Sequence, residues 1–277
     1  MSSRHSTEVE AGRRFEFGAN WARFLEELDL GRVERAERSL SEMLRQVNLV
    51  GKRFLDVGSG SGLFSLAARR LGATVHSFDY DPTSVACTNE LKRRFYPDDS
   101  QWTVAQGSIL DNQYLASLGR WDIVYSWGVL HHTGHLWQAV GNVANLADDG
   151  GVVFIALYND QGRASARWLA VKKAYNRLPP GLRWLILAPA TIRLWGPVTV
   201  RDLVTGRPFR TWRNYSKASP RGMAPWRDVV DWVGGLPFEV ATPEQVFRQF
   251  RDRGFRLDEL ATCAGGHGCN EFVFRRE

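Results

Sequence analysis

The most constraining stretch of this chain is Phe54-Leu55-Asp56-Val57-Gly58-Ser59-Gly60-Ser61-Gly62. A short apolar run from Arg53 to Val57 stops at three alternating glycines, and a helical pattern from Leu63 to Leu71 follows. The expected structure is a buried strand that turns sharply into a helix. Glycines let the backbone turn tightly and approach a ligand closely. They also place a helix N-terminus beside that ligand. Many nucleotide folds share such a loop, but the spacing narrows the choice. Dinucleotide enzymes favour GxGxxG against a pyrophosphate. Here the pattern is GxGxG, with Asp56 two residues before the first glycine. A carboxylate at that place repels a pyrophosphate and suits an ammonium group.

The residues that follow keep alternating between strand and helix. Thr74 to Phe78 reads as a strand ending at Asp79, and Pro82 opens a helix that runs to Phe95. Trp102 to Ala105 and Trp121 to Ser126 read as strands, Leu136 to Leu146 as a helix, and Val152 to Leu157 as a fifth strand after the turn Asp148-Asp149-Gly150-Gly151. This order implies an α/β fold with a parallel sheet and right-handed crossovers. The alternation stops between Asn159 and Leu236, a stretch rich in Trp, Arg and Pro, where Pro189 is expected to interrupt any helix over Leu182 to Leu194. It resumes with a helix opened by Thr242-Pro243-Glu244. Strands over Arg256 to Thr262 and Asn270 to Arg275 follow, paired as a hairpin across the turn Ala264 to Gly268. Helices are expected over Phe15 to Val50, the second from Arg32 to Gln46, whereas residues 1–14 look loosely held.

Asp79 lies 17 residues after Gly62, at the end of the second strand, where a carboxylate accepts hydrogen bonds from ribose hydroxyls. The rival role is a helix cap. Together, FLDVGSGSG, SFDYD, WDIVYSWGVLHH and DDGGVVFIAL resemble the motifs of the class I S-adenosylmethionine (SAM)-dependent methyltransferases. The resemblance covers Arg53 to Tyr158 and the terminal hairpin. It implies a Rossmann-like, seven-stranded, mostly parallel sheet with an antiparallel terminal strand, and SAM as cofactor. It also implies a cofactor site made by Asp56, Gly58, Ser59, Gly60 and Gly62 of the first motif and Asp79 and Tyr80 of the second. Gly107, Ser108 and Ile109 would lie against the adenine, with Ser126 and Trp127 on the fourth strand and Phe17 and Trp21 from a helical N-terminal lid. Ser108 stands where the family commonly has Asp. The implied organisation is a lid over residues 1–50, a SAM-binding core over 51–158, a basic Trp-rich cap over 159–236, and a helix and hairpin over 237–277 that complete the core.

Methyl transfer chiefly needs the acceptor held in attack geometry, and a hydroxyl or protonated amine also needs a base. His131 and His132 follow the fourth strand and are the candidate bases, His132 preferred because it is further from the strand. A cap on the following helix, or packing on the cofactor, is the structural alternative. His267 sits on the terminal turn and is expected to lie too far from the methyl.

Charge bears on the acceptor. Between Tyr158 and Gly235 fourteen basic side chains face four acidic ones, a net of +10, while the whole chain is +6. Aromatic and cationic side chains together suit a small acceptor with an apolar body and anionic groups. The same segment suits peripheral contact with an anionic membrane, or a satellite core with a solvated face. The stretch SWGVLHHTGHLWQ is somewhat similar to tRNA wobble-uridine carboxymethyltransferases, which keeps an RNA substrate as an alternative, although no RNA-binding module is recognisable. A scaffold that binds SAM without turnover is a third possibility, and nothing in the sequence sets the oligomeric state. Cys87, Cys263 and Cys269 make neither a disulfide framework nor paired CxxC spacing, so no metal is expected. The polar opening MSSRHSTEVEAGRR lacks the apolar core of a signal peptide, so a cytoplasmic location is expected.

Overall fold

The computed structural model describes residues 2–45, 48–218 and 225–277. Its strands are β1 (Arg53–Val57), β2 (Thr74–Asp79), β3 (Trp102–Gln106), β4 (Trp121–Trp127), β5 (Ala147–Tyr158), β6 (Phe255–Ala261) and β7 (Cys269–Arg276). They form one sheet in the order β3-β2-β1-β4-β5-β7-β6. β1 to β5 pair in parallel, and β7 runs antiparallel to both β5 and β6. The strand order reverses between β1 and β4. In open α/β sheets that switch point leaves a crevice at the carboxyl ends of the strands, where ligands bind.

Three helices precede the sheet: α1 (Ser2–Glu10), α2 (Phe17–Glu26) and α3 (Leu30–Leu44). The connections within it carry α4 (Leu63–Arg70), α5 (Pro82–Phe95), α6 (Asn112–Leu118) and α7 (Leu136–Leu146). After β5 come α8 (Arg163–Arg177), α9 (Trp184–Val204), α10 (Arg210–Ala218), α11 (Pro225–Gly234) and α12 (Pro243–Arg251). Side chains alternate across each strand, so the central strands feed two cores. Phe54, Ile123, Val152 and Phe154 pack under α2 to α5. Leu55, Val57, Val124, Val153 and Ile155 pack under α6, α7 and α12. A third, smaller core joins Tyr175, Leu187, Val229 and Val233 of α8, α9 and α11, with Phe15, Trp168 and Trp232 against it.

Local signals account for the element ends. Asp81 caps α5 by accepting the Thr83 N–H, with Pro82 at the first helical position. Thr242 and Gln245 close a capping box on α12. Three expectations need correction. Residues 2–10 form a helix rather than a loose tail, held by polar contacts: His5 is buried 3.7 Å from Asp81, and Arg14 pairs with Glu8 at 2.8 Å. Helix α9 runs unbroken through Pro189 and Pro197. Its inner residues Leu187 and Ala190 are buried, and that packing outweighs the lost backbone bonds. β5 begins at Ala147, so Asp148 to Gly151 lies within the strand, where the pairing with β4 shifts register.

Candidate active site

A cavity of about 960 Å³ opens at the crevice beside β1 and β4. It is near the upper end of the roughly 300–1,000 Å³ seen for small-molecule sites, and it has two chemically distinct ends. The first is built by the β1–α4 loop. Gly58 has φ +80°, and a Cβ there would lie 2.4 Å from Val129 Cγ1. Gly60 has φ +56°, and its Cβ would lie 3.0 Å from the Trp21 indole. Only glycine fits both the backbone conformation and these close approaches. Gly62 caps α4 and lies outside the lining.

Two carboxyls face this end, Asp56 buried and Asp79 half-buried. Asp56 is 2% exposed and accepts a hydrogen bond of 2.5 Å from the Ser65 hydroxyl, which also contacts the Ser77 hydroxyl at 2.7 Å. Burial pushes its pKa up to about 7; the Ser65 hydrogen bond opposes this, and the nearby Asp79 charge adds to it. Asp79 accepts the Gly60 N–H and the Asp81 N–H, both at 2.9 Å. Burial raises its pKa to about 6 against those two backbone bonds, helped by the Asp81 charge. No basic side chain among the described residues forms an ion pair with either carboxyl. Buried charges are ordinarily paired, so this end is complementary to a cationic, hydroxyl-bearing ligand. The amine, sulfonium and ribose of SAM fit it, and its carboxylate suits the N-terminus of α4. Asp79 caps no helix, since Asp81 is the cap of α5; it ties the glycine loop to the end of β2 through its two backbone bonds.

Other cofactor candidates fall around the same space. Tyr80, Gly107, Ser108, Ile109, Trp127, Phe17 and Trp21 all line the cavity. The Arg14 guanidinium lies 4.9 Å from the Tyr80 ring centroid, and His5 packs edge-on against that ring. Ser108 accepts the Leu110 N–H at 3.2 Å, and the Trp127 indole donates to Glu271 at 3.0 Å. Ser126 is the exception: it is fully buried, its hydroxyl donates to the Val57 carbonyl at 3.0 Å, and it does not line the cavity.

The second end lies under α9 and α11, and the two histidines divide there. His131 is fully buried and stacks on Tyr158 at 3.7 Å between centroids; its Nδ1 accepts the Tyr158 N–H at 3.3 Å. It lies behind the wall, so the expectation of a base at His131 is corrected. His132 lines the cavity, 4.8 Å from the Phe17 ring, with Nδ1 2.6 Å from the Pro237 carbonyl oxygen. A carbonyl only accepts. Nδ1 therefore carries the proton, and in the neutral ring Nε2 carries the lone pair.

Several lining residues escaped sequence reasoning. Asp231 and Asp228 line this end; Asn20 donates to Asp231, and the Tyr215 hydroxyl donates to Asp228. Their signal was present as paired acids three residues apart in an otherwise apolar helix. His267 also lines the cavity, against Trp168 and Trp232, which corrects the expectation that the terminal turn is remote. Burial lowers its pKa, and the Arg193 charge lowers it further. Behind the wall, burial lowers the Lys172 pKa to about 7 against the pull of Asp231, and its ammonium sits 4.6 Å from the Trp232 and Phe238 ring centroids. Among the described residues, no Lys or Arg between 159 and 236 lines the cavity. The cationic wall expected of that basic segment is not seen among them at this end.

The sheet order, the glycine loop and the paired carboxyls define a SAM-binding α/β enzyme. The chain belongs to the methyltransferase domain family, whose model matches residues 24–207. It is a SAM-dependent methyltransferase of the class I superfamily. It is 27% identical over 186 residues to the ubiquinone biosynthesis O-methyltransferase of Salmonella enteritidis PT4, covering 64% of this chain and 73% of that one. It is 32% identical over 127 residues to the protein of that name from Escherichia coli O139:H28, covering 45% of this chain and 49% of that one. Among solved structures, magnesium protoporphyrin IX methyltransferase from Synechocystis PCC 6803 with bound SAH shares the fold. The TM-score is 0.52 at 15% identity, over 90% of this chain and 84% of that one. An O-methyltransferase family protein from Burkholderia thailandensis also shares it, with a TM-score of 0.52 at 13% identity, over 87% and 56%.

Proposed function

We propose that this enzyme methylates a hydroxyl oxygen of a largely apolar, uncharged small molecule, with His132 as the general base. The observation that carries this reading is the 2.6 Å contact between His132 Nδ1 and the Pro237 carbonyl, because it directs the basic Nε2 lone pair to the other side of the ring. Bound SAM would supply an electrophilic methyl group, its methyl–sulfur bond breaking as the new oxygen–carbon bond forms and S-adenosylhomocysteine leaving as the neutral thioether. Nε2 of His132 takes the acceptor's hydroxyl proton as the oxygen attacks, and Nδ1 keeps its hydrogen bond to Pro237 throughout. The resulting imidazolium has its second N–H already satisfied, which favours the charged state.

The walls of the second end support an apolar body. Phe17, Tyr158, Leu194, Trp195 and Trp232 line it, and aromatic faces hold planar or aliphatic bodies by dispersion and edge contacts. Asp228 and Asp231 suit hydrogen-bond donors on the acceptor and disfavour carboxylates or phosphates. Helix α2 joins the two ends: its Gly18 N–H donates to Asp81 at 2.8 Å, and its Asn20 holds Asp231. The helices before the sheet thus serve as the lid, and α8 to α11 as the acceptor cap. The names of the Salmonella and Escherichia relatives agree with oxygen as the methylated atom.

The test is a transfer assay with methyl-labelled SAM against neutral phenols, neutral aliphatic alcohols, and their carboxylated or phosphorylated analogues. Label is expected in the neutral hydroxyl compounds and to be lost with His132→Gln. Label only in the anionic analogues, or an unchanged rate in that variant, would overturn the proposal.

A further inference from the structure

Helix α9 is largely apolar, with Arg193, Arg201 and Asp202 as its charged residues, and among the described residues protein covers only one side of it. An apolar helix face that no protein covers belongs against a partner or against lipid. The inner side packs on α8 and α11 through Leu187 and Ala190, and Leu194 and Trp195 reach the cavity wall. The outer side carries Leu185, Ile192, Val200 and Leu203, which fall within an arc of roughly 80° at 100° per residue. Ile192 is 72% exposed and Val204, roughly 40° beyond this arc at 100° per residue, 82%. The ridge runs the length of a 21-residue helix, roughly 30 Å. Trp184 stands at its N-terminal end, 62% exposed. A continuous apolar strip of that length on a surface marks an interaction site.

We propose that the outer face of α9 rests in the headgroup–acyl boundary of an anionic bilayer. Charge selects this occupant. Arg193 on the helix, and Arg207, Arg210 and Arg213 just beyond it, are exposed, and the segment between Tyr158 and Gly235 carries a net charge of +10. Basic side chains flanking an apolar helical face are the arrangement that holds a helix flat on anionic lipid. A second copy of the chain would bring the same arginines face to face, and like charges there oppose association. Pro189 sets the depth. It removes the N–H that would satisfy the Leu185 carbonyl, and a bare carbonyl is tolerated among headgroups but is costly in hydrocarbon. No helix among the described residues is long and apolar enough to cross a membrane, so α9 lies along the surface. Because the same helix forms one wall of the cavity, this placement sets the acceptor end beside the lipid phase. The proposal stands on the helix surface alone and does not depend on the acceptor's chemistry.

The experiment is vesicle flotation of the full chain with two lipids, pure phosphatidylcholine and phosphatidylcholine mixed with phosphatidylglycerol. The protein is expected to float with the anionic vesicles and to stay behind with the neutral ones. Ile192→Gln with Val204→Gln should weaken that binding, on the order of tenfold for each apolar residue removed from lipid. Arg207→Gln with Arg210→Gln should weaken it about fivefold for each charge. All these side chains are exposed, and an unchanged rise in unfolding temperature with SAM shows that the variants are folded. Failure of the parent protein to float, or equal flotation of the Ile192/Val204 variant, overturns the proposal. So does a concentration-dependent dimer, seen by light scattering, that the same pair of substitutions dissolves.

Discussion

Asp56→Asn should make the ligand-free protein more stable at alkaline pH while weakening its hold on SAM. Asp56 is buried with no cation paired to it, its pKa raised from 3.8 to about 7 chiefly by that burial, with the Asp79 charge adding to it. Below pH 3.8 the carboxyl is protonated in both folded and unfolded chains, and it costs nothing. Between 3.8 and about 7 only the unfolded chain ionises, so stability falls as pH rises. Above about 7 the loss levels off. At about 1.36 kcal/mol per pH unit over that gap, the ceiling is about 4 kcal/mol. Asparagine has nearly the same shape and no charge to bury. The Ser65 hydroxyl, placed between Asp56 and Ser77, can turn to accept from the new amide. The assay is urea denaturation of both proteins without ligand from pH 5 to pH 8. The variant's advantage should be about 1–2 kcal/mol at pH 5 and grow by about 2–3 kcal/mol by pH 8. SAM titrations at pH 8 should show weaker binding to the variant, because the ligand's cation loses its partner. A stability gap that stays constant across this pH range would refute the account of Asp56 as an uncompensated buried carboxyl. Unchanged SAM affinity would refute its role in the cofactor site.

Further expectations follow from the same geometry. In the parent protein SAM affinity should fall as pH drops through about 7 and then about 6, as Asp56 and Asp79 take up protons; calorimetric titrations across that range check it, and a flat profile would count against both assignments. Asp79→Ala should cost on the order of 1–3 kcal/mol of SAM affinity for lost charge-assisted hydrogen bonds, read by the same titration. His132→Gln should lower turnover roughly 10²–10⁴-fold, the usual worth of a general base, while the SAM-induced thermal shift persists. Gly58→Ala should destabilise the fold, since the left-handed backbone alone costs roughly 1–2 kcal/mol and its Cβ would press on Val129; Val129→Ala in the same chain should restore part of the loss, as thermal unfolding would show.

Much of the sheet was legible because each central strand is short, apolar and bounded by its own punctuation. Arg53 to Val57 ends at glycine, and the helix after β2 opens at Asp81-Pro82, so β1 and α5 fall where the residues place them. Helix α6 was not read, although Asp111 caps it by accepting the Gln113 and Tyr114 N–H groups at 3.1 Å, because two turns are too short to display a period. Pro189 misled for a different reason. The rule that proline ends a helix is local, whereas α9 is held by burial of Leu187 and Ala190, and Thr191 and Thr199 donate to the carbonyls four residues back at 2.7 and 2.8 Å. The opening residues misled because their contacts are polar, and hydropathy does not register a histidine buried against Asp81. At the site, most of the loop and strand-end residues numbered from their spacing line the cavity, with Gly62 and Ser126 outside it. Asp228 and Asp231 could not be numbered in this way, because they reach the cavity only when a segment without strand–helix alternation folds back over the sheet.

The chain leaves the sheet for that segment and returns to it at a single place. Asn159 and Ala241 form a parallel bridge, Ala241 donates to the Tyr158 carbonyl at 3.0 Å, and Asp160 donates to the Ala241 carbonyl at 3.1 Å. Both stems of α8 to α11 are therefore anchored side by side at the end of β5. Such a module can be exchanged, lengthened or trimmed without shifting the register of any strand or moving the glycine loop. If α8 to α11 hold the acceptor as proposed, the molecule that receives the methyl group can change by replacement of one cassette while the glycine loop stays as it is.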